Sequence, residues 1–401
     1  MELYIIKIKK RIMKQKRIFT IITLLLAINI VKAQSPYINK VYDYRPAPGQ
    51  FVNKYPEYES GDTQEDMNRK VEESIKGEKK ILISLGGYGG YVIFGFDHPV
   101  INVLNSYDFK IWGNAIISTS PNSMQDGGSC EPGIVMVSYD SNGNGLPDDE
   151  WYELAGSEYS KSETIKNYHI TYLKPDENKI PAPDPDYSYL TDTSYIKWTS
   201  NQGDDGYIPR NTTHAQPYYP QWIDDENLSF EGTKLANNYV DVGGTGSNYV
   251  LYAYPWGYAD NYPNTDERSN FNIEWAVDSD GNSVHLPAIH FVKVYTGVNQ
   301  YCGPLGETST EIMGAEDLHP PTTNIRQNEA DKTFLLLNNP VKEQLIIVSD
   351  KRQNIDVYDY LGRKQISFEI NSGINYIPCG QLAQGMYVVV AGNKTVKFVK
   401  Q

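Results

Sequence analysis

Between residues 77 and 319 the apolar residues come in short runs, each closed by Gly, Pro, Asn or Asp, and they rarely fall at the spacing a helix face requires. A strand alternates its side chains between two faces and ends where a turn residue lets the chain reverse, so this punctuation points to antiparallel β-structure. Strands are expected at Ile81–Leu85, Gly90–Phe96, Phe109–Ile111, Ile134–Ser138, Tyr168–Leu173, Tyr249–Tyr254 and Ile289–Tyr295. One helical stretch stands out, Thr63–Lys76, polar on most faces. The Pro-, Asp- and Tyr-rich stretch Pro175–Gln221 reads as long surface loops inserted between strands. The chain holds 32 tyrosines, and all six tryptophans lie between Trp112 and Trp275, residue types that suit half-buried sheet surfaces. The fold class is therefore all-β, with one large β-sandwich domain over 77–319.

The N-terminus reads as a targeting segment rather than as structure. Lys7, Lys9, Lys10, Arg11, Lys14, Lys16 and Arg17 precede an uncharged apolar run from Ile18 to Val31, and Ala33 offers the small residue signal peptidase prefers. Residues 1–33 are expected to be a signal peptide and 34–76 an N-terminal extension. The run is short for a membrane span, and no later one is long enough, so the mature chain is expected to have no transmembrane segment. Removing 1–33 changes 36 basic against 50 acidic residues to 28 against 49, a net charge of −21. That surface repels phosphates and argues against nucleic-acid binding, while it suits divalent cations.

The stretch 320–333, opening on Pro320-Pro321, reads as a linker. Beyond it, 334–401 holds about six short strands. Four blocks stand in order there: Asn339-Pro340-Val341-Lys342, then Ile355-Asp356-Val357-Tyr358-Asp359-Tyr360-Leu361-Gly362-Arg363, then Gly385-Met386-Tyr387-Val388, and the closing Lys394-Thr395-Val396-Lys397-Phe398-Val399-Lys400. With these blocks the region resembles the type IX secretion C-terminal sorting domain, a small immunoglobulin-like β-sandwich. The resemblance implies the type IX machinery as partner. It also implies delivery to the outer surface of a Gram-negative cell or to the medium.

Asp140, Asn142 and Asn144 place oxygen side chains at positions 1, 3 and 5 of a loop, Gly145 stands at 6, Leu146 offers a backbone carbonyl at 7 and Asp148 stands at 9. This is the spacing of a calcium loop, and calcium is the expected cofactor. Position 12 is Trp151 in place of the bidentate Glu, so a further carboxylate would come from Asp149, Glu150 or elsewhere in the fold. The alternative is a metal-free hairpin turn.

Around this loop, Gly89–Asp97, Asp108–Ala115, Glu131–Ser138 and Trp151–Ser157 resemble jelly-roll domains of secreted bacterial proteins, which implies a jelly-roll-like sandwich. They are also similar to surface proteins found beside corrinoid uptake systems. No binding residue follows from either resemblance.

No nucleophile elbow, His-Glu-x-x-His pair or phosphate loop appears, so catalysis is not indicated. Tyr218, Tyr219 and Trp222, with Tyr254, Trp256, Tyr258 and Asn261, put rings beside amides and carboxylates, a combination that suits sugar or macrocycle faces. The expected function is non-catalytic surface capture of a glycan or a corrinoid, with a secreted hydrolase or a structural adhesin as alternatives. Cys130 and Cys302, both beside glycine turns, are expected to pair and leave Cys379 free, unless they are two separate buried thiols.

Overall fold

A computed structural model describes residues 34–320 and 334–401, apart from 104, 121, 122, 337, 350, 360, 361 and 393. The expected signal peptide over 1–33, and the expected linker beyond Pro320, lie outside the described residues.

The centre of the large domain is a six-stranded antiparallel sheet in the order Lys40–Arg45, Tyr91–Ile101, Ala288–Thr296, Gly133–Ser138, Trp151–Leu154 and Ala276–Val277. Its strands are apolar on both faces, and alternation divides them between two cores. Val135 and Val137, with Val92, Phe94, Val292 and Val294, face a core shared with the helix and the small sheets. Ile134 and Tyr295 face the opposite way, into a core built mainly from tyrosines. Across that second core lies a four-stranded sheet in the order Asp205–Asn211, Leu190–Ser200, Ile165–Leu173 and Asn227–Lys234. The result is a β-sandwich, as the strand periodicity predicts.

Two of those four strands, Leu190–Ser200 and Asp205–Asn211, fall inside the stretch expected to be surface loops. Tyr195, Ile196 and Ile208 are buried against the tyrosine core, and that packing outweighs the turn-rich composition around them.

The helix runs from Gln64 to Ile75. Thr63 caps it, with Thr63 Oγ1 accepting from Asp66 N and the Asp66 carboxylate accepting from Thr63 N, a reciprocal pair that stabilises the first turn by about 1 kcal/mol. Met67, Val71 and Ile75 form its buried stripe. The segment 34–76 is thus built into the domain, supplying the edge strand Lys40–Arg45 as well as this helix. The two ends of the domain meet: Asp317 N donates to Pro36 O at 2.7 Å, and Tyr37 bridges to Glu316.

The C-terminal region is a second sandwich. A sheet of Phe334–Leu336, Gln344–Ser349 and Gly373–Pro378 accompanies one of Lys364–Ile370, Gln353–Asp359, Gly385–Ala391 and Lys394–Lys400. Leu345, Ile347, Ile355, Val357, Val389 and Phe398 belong to its core.

Candidate functional site

Three separate segments bring carboxylates together in the large domain. Glu131 precedes the strand Gly133–Ser138, and its backbone N donates to Asp260 O at 2.9 Å. Gly133 and Ala259 exchange both backbone hydrogen bonds at 2.9 Å, which fixes Asp260 beside Glu131. Asp260 itself has φ +52, a left-handed conformation that is unfavourable without a side-chain compensation. Here the side chain supplies it: Oδ1 accepts from Asn114 N at 2.7 Å and Ala115 N at 2.8 Å, and Oδ2 accepts from Glu311 N at 2.9 Å. The approach is close enough that a Cβ on Gly113 would lie 2.4 Å from Asp260 Oδ1.

Glu311 starts the short strand Glu311–Ile312, paired with Ile83–Ser84. Thr310 Oγ1 donates to Glu131 O at 2.9 Å, and Ser309 Oγ bonds Ser84 Oγ at 2.8 Å, so this segment is clamped from both sides. As a result, oxygens of Glu131, Asp260 and Glu311 lie within 4.8 Å of one another. Asp260 is 3% exposed and Glu311 4%.

Burial followed by mutual repulsion raises the pKa of Asp260 and Glu311 well above the ordinary carboxylate range, and burial pushes Glu131 up to about 7. Glu307, 6% exposed, is pushed by burial up to about 8 even though its Oε1 accepts from Gln50 N at 2.7 Å. Its Oε2 is buried with no hydrogen-bond partner. Among the described residues none of these four carboxylates forms an ion pair with Lys or Arg. Four unpaired charges in so dry a site are unstable, so protons or a cation must neutralise some of them.

Glu131, Glu307 and Glu311 line a cavity of about 590 Å³, within the range of small-molecule sites. Asn114, Ser129 and Ser309 add polar groups. Phe51, Tyr55 and His214 form an aromatic side, Phe51 meeting His214 edge-on at 4.6 Å and Tyr55 at 5.8 Å between centroids. Tyr55 is 43% exposed and marks the rim. A second cavity, about 450 Å³, has its charges already matched: Lys179 meets Asp192 at 3.0 Å and Arg210 meets Glu177 at 3.2 Å.

The aromatic cluster expected to bind ligand is mostly core. Tyr218, Tyr219, Tyr254, Tyr258 and Asn261 are buried. Their polar atoms are taken by the protein: Tyr219 donates to Asp225 O at 2.7 Å, Tyr254 donates to Ala236 O at 2.6 Å, and Asn261 bonds Tyr254 N and O. Trp222 stacks with Tyr44 at 5.9 Å and donates from Nε1 to Gln64 at 3.1 Å. Trp256, 38% exposed, packs on Trp275 at 4.7 Å. Sequence neighbours here share a hydrophobic interior, not a surface.

The expected bridge between Cys130 and Cys302 is absent. All three cysteines are free and buried. Cys130 packs with Ala253 and Tyr262, whereas Cys302 Sγ contacts Thr308 Oγ1 at 3.8 Å.

The Asp140 loop is exposed and folds around its first residue. Asp140 Oδ1 accepts from Gly143 N at 2.7 Å and Asn144 N at 3.1 Å, and Oδ2 accepts from Gly145 N at 2.9 Å. Asn142 and Asn144 both turn their amides to Asp148, at 3.2 and 2.9 Å. Leu146 N donates to Asn144 Oδ1 at 2.7 Å, and Ser141 Oγ donates to Asp149 Oδ1. Asp149 Oδ2 is buried and without a partner. These bonds tie Asp140, Asn142, Asn144 and Asp148 into one compact turn, in which the Asp140, Asn142 and Asn144 side-chain oxygens accept from the loop's own backbone.

Residues 338–401 match the secretion system C-terminal sorting domain. The chain therefore carries a type IX sorting module, which marks it for export to the cell surface or extracellular space. Comparison of the chain with curated proteins finds no match. No helix among the described residues is long and apolar enough to cross a membrane.

Proposed function

We propose that this exported chain, released from a signal peptide over 1–33, is a surface protein that captures a small polar ligand without chemical turnover. The cavity between the Phe51–Tyr55–His214 side and the carboxylate floor is the binding site. One observation carries the reading: a cavity of about 590 Å³ joins aromatic faces to buried polar atoms, among them the partnerless Glu307 Oε2. Sugars present an apolar ring face and a circle of hydroxyl donors, and this pairing answers both. A glycan end is the leading ligand, while a corrinoid, broader than the cavity, would seat on its rim.

A panel of glycans and cyanocobalamin titrated by calorimetry into residues 34–401 tests this. Binding that weakens about tenfold or more in Phe51→Ala or Tyr55→Ala supports the site, since losing a stacked ring costs roughly 1–3 kcal/mol by analogy with base stacking. Silence across the panel, or binding indifferent to both substitutions, overturns it. The hydrolase reading keeps one specific support, carboxyl groups close enough to act as a retaining acid and nucleophile pair. Glycan turnover abolished by Glu131→Gln would establish that reading instead.

We also propose calcium for the Asp140 loop. The spacing of Asp140, Asn142, Asn144, Leu146 and Asp148 at loop positions 1, 3, 5, 7 and 9 and the unmatched Asp149 oxygen support it.

A further inference from the structure

The carboxylate floor of the cavity carries more acidic groups than any lysine or arginine of the described residues neutralises. Asp260 is held by three backbone N–H groups, and such donors favour the ionised form over the acid. With Asn114 turned so that its amide nitrogen faces Asp260, two more contacts form at 3.1 and 3.3 Å. Glu131 receives long bonds from Ser309 N and Ser129 Oγ, each at 3.4 Å, and a hydrogen bond from the Glu311 carboxyl, a proton that a cation seated between the two would displace. Glu307, on the wall of the same cavity, keeps an entirely unmatched oxygen although it is more than nine-tenths buried. An unmatched buried carboxylate oxygen beside a cluster of three other carboxyl groups calls for a partner, and a cation can serve all four at once.

We propose that Glu131, Asp260 and Glu311, with Glu307 beside them, hold a calcium ion at the floor of the cavity. The candidate donors are carboxylate oxygens, a set that selects a hard cation. They come from three separate segments, and calcium accepts irregular oxygen shells where magnesium demands a near-ideal octahedron. The ion would neutralise the floor and leave a coordination position facing the cavity for a ligand hydroxyl. The proposal deepens the ligand-capture reading of the same cavity, and the two separate cleanly because the cation is titrated alone.

The Asp140 loop must first be silenced. Residues 34–401 carrying Asp140→Ala and Asn144→Ala are stripped with chelator, titrated with calcium chloride by calorimetry, and weighed by native mass spectrometry. One calcium ion should remain. Adding Glu131→Gln and Glu311→Gln, which keep side-chain volume, should weaken that ion about 100-fold or more, because even outer partners of a metal ligand cost about 10–100-fold. Glu307→Gln alone, in a cavity wall and not in the tight cluster, serves as the milder variant and should weaken it measurably. Absence of a bound calcium in the loop-silenced protein overturns the proposal. So does calcium binding unchanged by the glutamine substitutions, and so does uptake of manganese or magnesium with calcium refused. Calcium binding with no glycan or corrinoid binding would support the metal site and remove the capture reading alone.

Discussion

Replacing His98 with leucine should destabilise the large domain more than any surface substitution of similar size. The imidazole is fully buried, with Nδ1 2.7 Å from Asp97 Oδ1 and Nε2 2.7 Å from Asp317 Oδ2. The two bonds are unequal in value. Asp97 is 29% exposed and water can replace its partner, so its share is about 0–1 kcal/mol. The Asp317 side chain is 1% exposed, and stripping one partner from a buried charge pair costs about 3–5 kcal/mol. Asp317 keeps His319 N on Oδ1 at 2.8 Å, which favours the lower end, about 3 kcal/mol. The effect also carries a pH signature. Burial alone would lower the His98 pKa, but hydrogen bonds to Asp317 and Asp97 outweigh it and the net shift is upward. A raised folded value means that the stabilisation is complete below about 6.5 and is lost as pH rises through the folded pKa. All six tryptophans lie in the large domain, so urea unfolding of residues 34–401 followed by tryptophan fluorescence reports this domain. The gap between wild type and His98→Leu should be widest near pH 6 and narrow by pH 9, and Asp317→Asn added to His98→Leu should recover part of it. A gap independent of pH, or a leucine variant as stable as wild type, would refute the reasoning.

Two further outcomes follow from close packing and burial. Gly86 sits at φ +70, and a Cβ there would lie 1.9 Å from Ala47 O, so Gly86→Ala should cost about 2–5 kcal/mol in the same urea assay, combining backbone strain of ~1–2 and overpacking of ~1–3. Burial pushes the Cys130 and Cys302 thiols up to about 12, so iodoacetamide at pH 8 should leave both unlabelled in the native chain and label all three cysteines after denaturation. A peptide joining Cys130 to Cys302 in the non-reduced digest would contradict the free-thiol structure.

Much of the fold is legible in the sequence because alternation carries it. Ile134–Ser138 reads as a strand from its apolar run, and its alternate residues do face two different cores. The helix is legible as the one stretch with helical spacing, and the structure shows Thr63 and Asp66 capping its start. Strands Leu190–Ser200 and Asp205–Asn211 were hidden because Pro, Asp and Tyr nearby imitate loop composition, and only their burial against Tyr168 and Tyr172 makes them strands. The site was hidden for a different reason. Glu131 and Asp260 stand inside motifs visible in the sequence, but nothing marks Glu311, and convergence of three distant segments leaves no local spacing to find. The aromatic clusters misled for the converse reason, since Tyr218 and Tyr258 look identical to a surface platform until their burial is known.

The contact of Pro36 and Tyr37 with Asp317 and Glu316 makes the large domain nearly circular as a path. Its edge strand Lys40–Arg45 finds Tyr91–Ile101 early, but Tyr91–Ile101 finds its other neighbour, Ala288–Thr296, only after almost two hundred intervening residues have been made. Pairing of that kind is slow, because loop closure must precede the contacts that reward it. A chain emerging N-terminus first from translocation would therefore hold its central sheet half-built, with one long strand edge open, until the last part of the domain emerges. Closely apposed ends also tolerate being joined, and the exposed turn at Gln202 and Gly203 offers a place to open the ring. In such a rearranged chain Leu190–Ser200 and Asp205–Asn211, now sequence neighbours, would become the most distant pair, and the order of folding would be rewritten while the native contacts stayed the same.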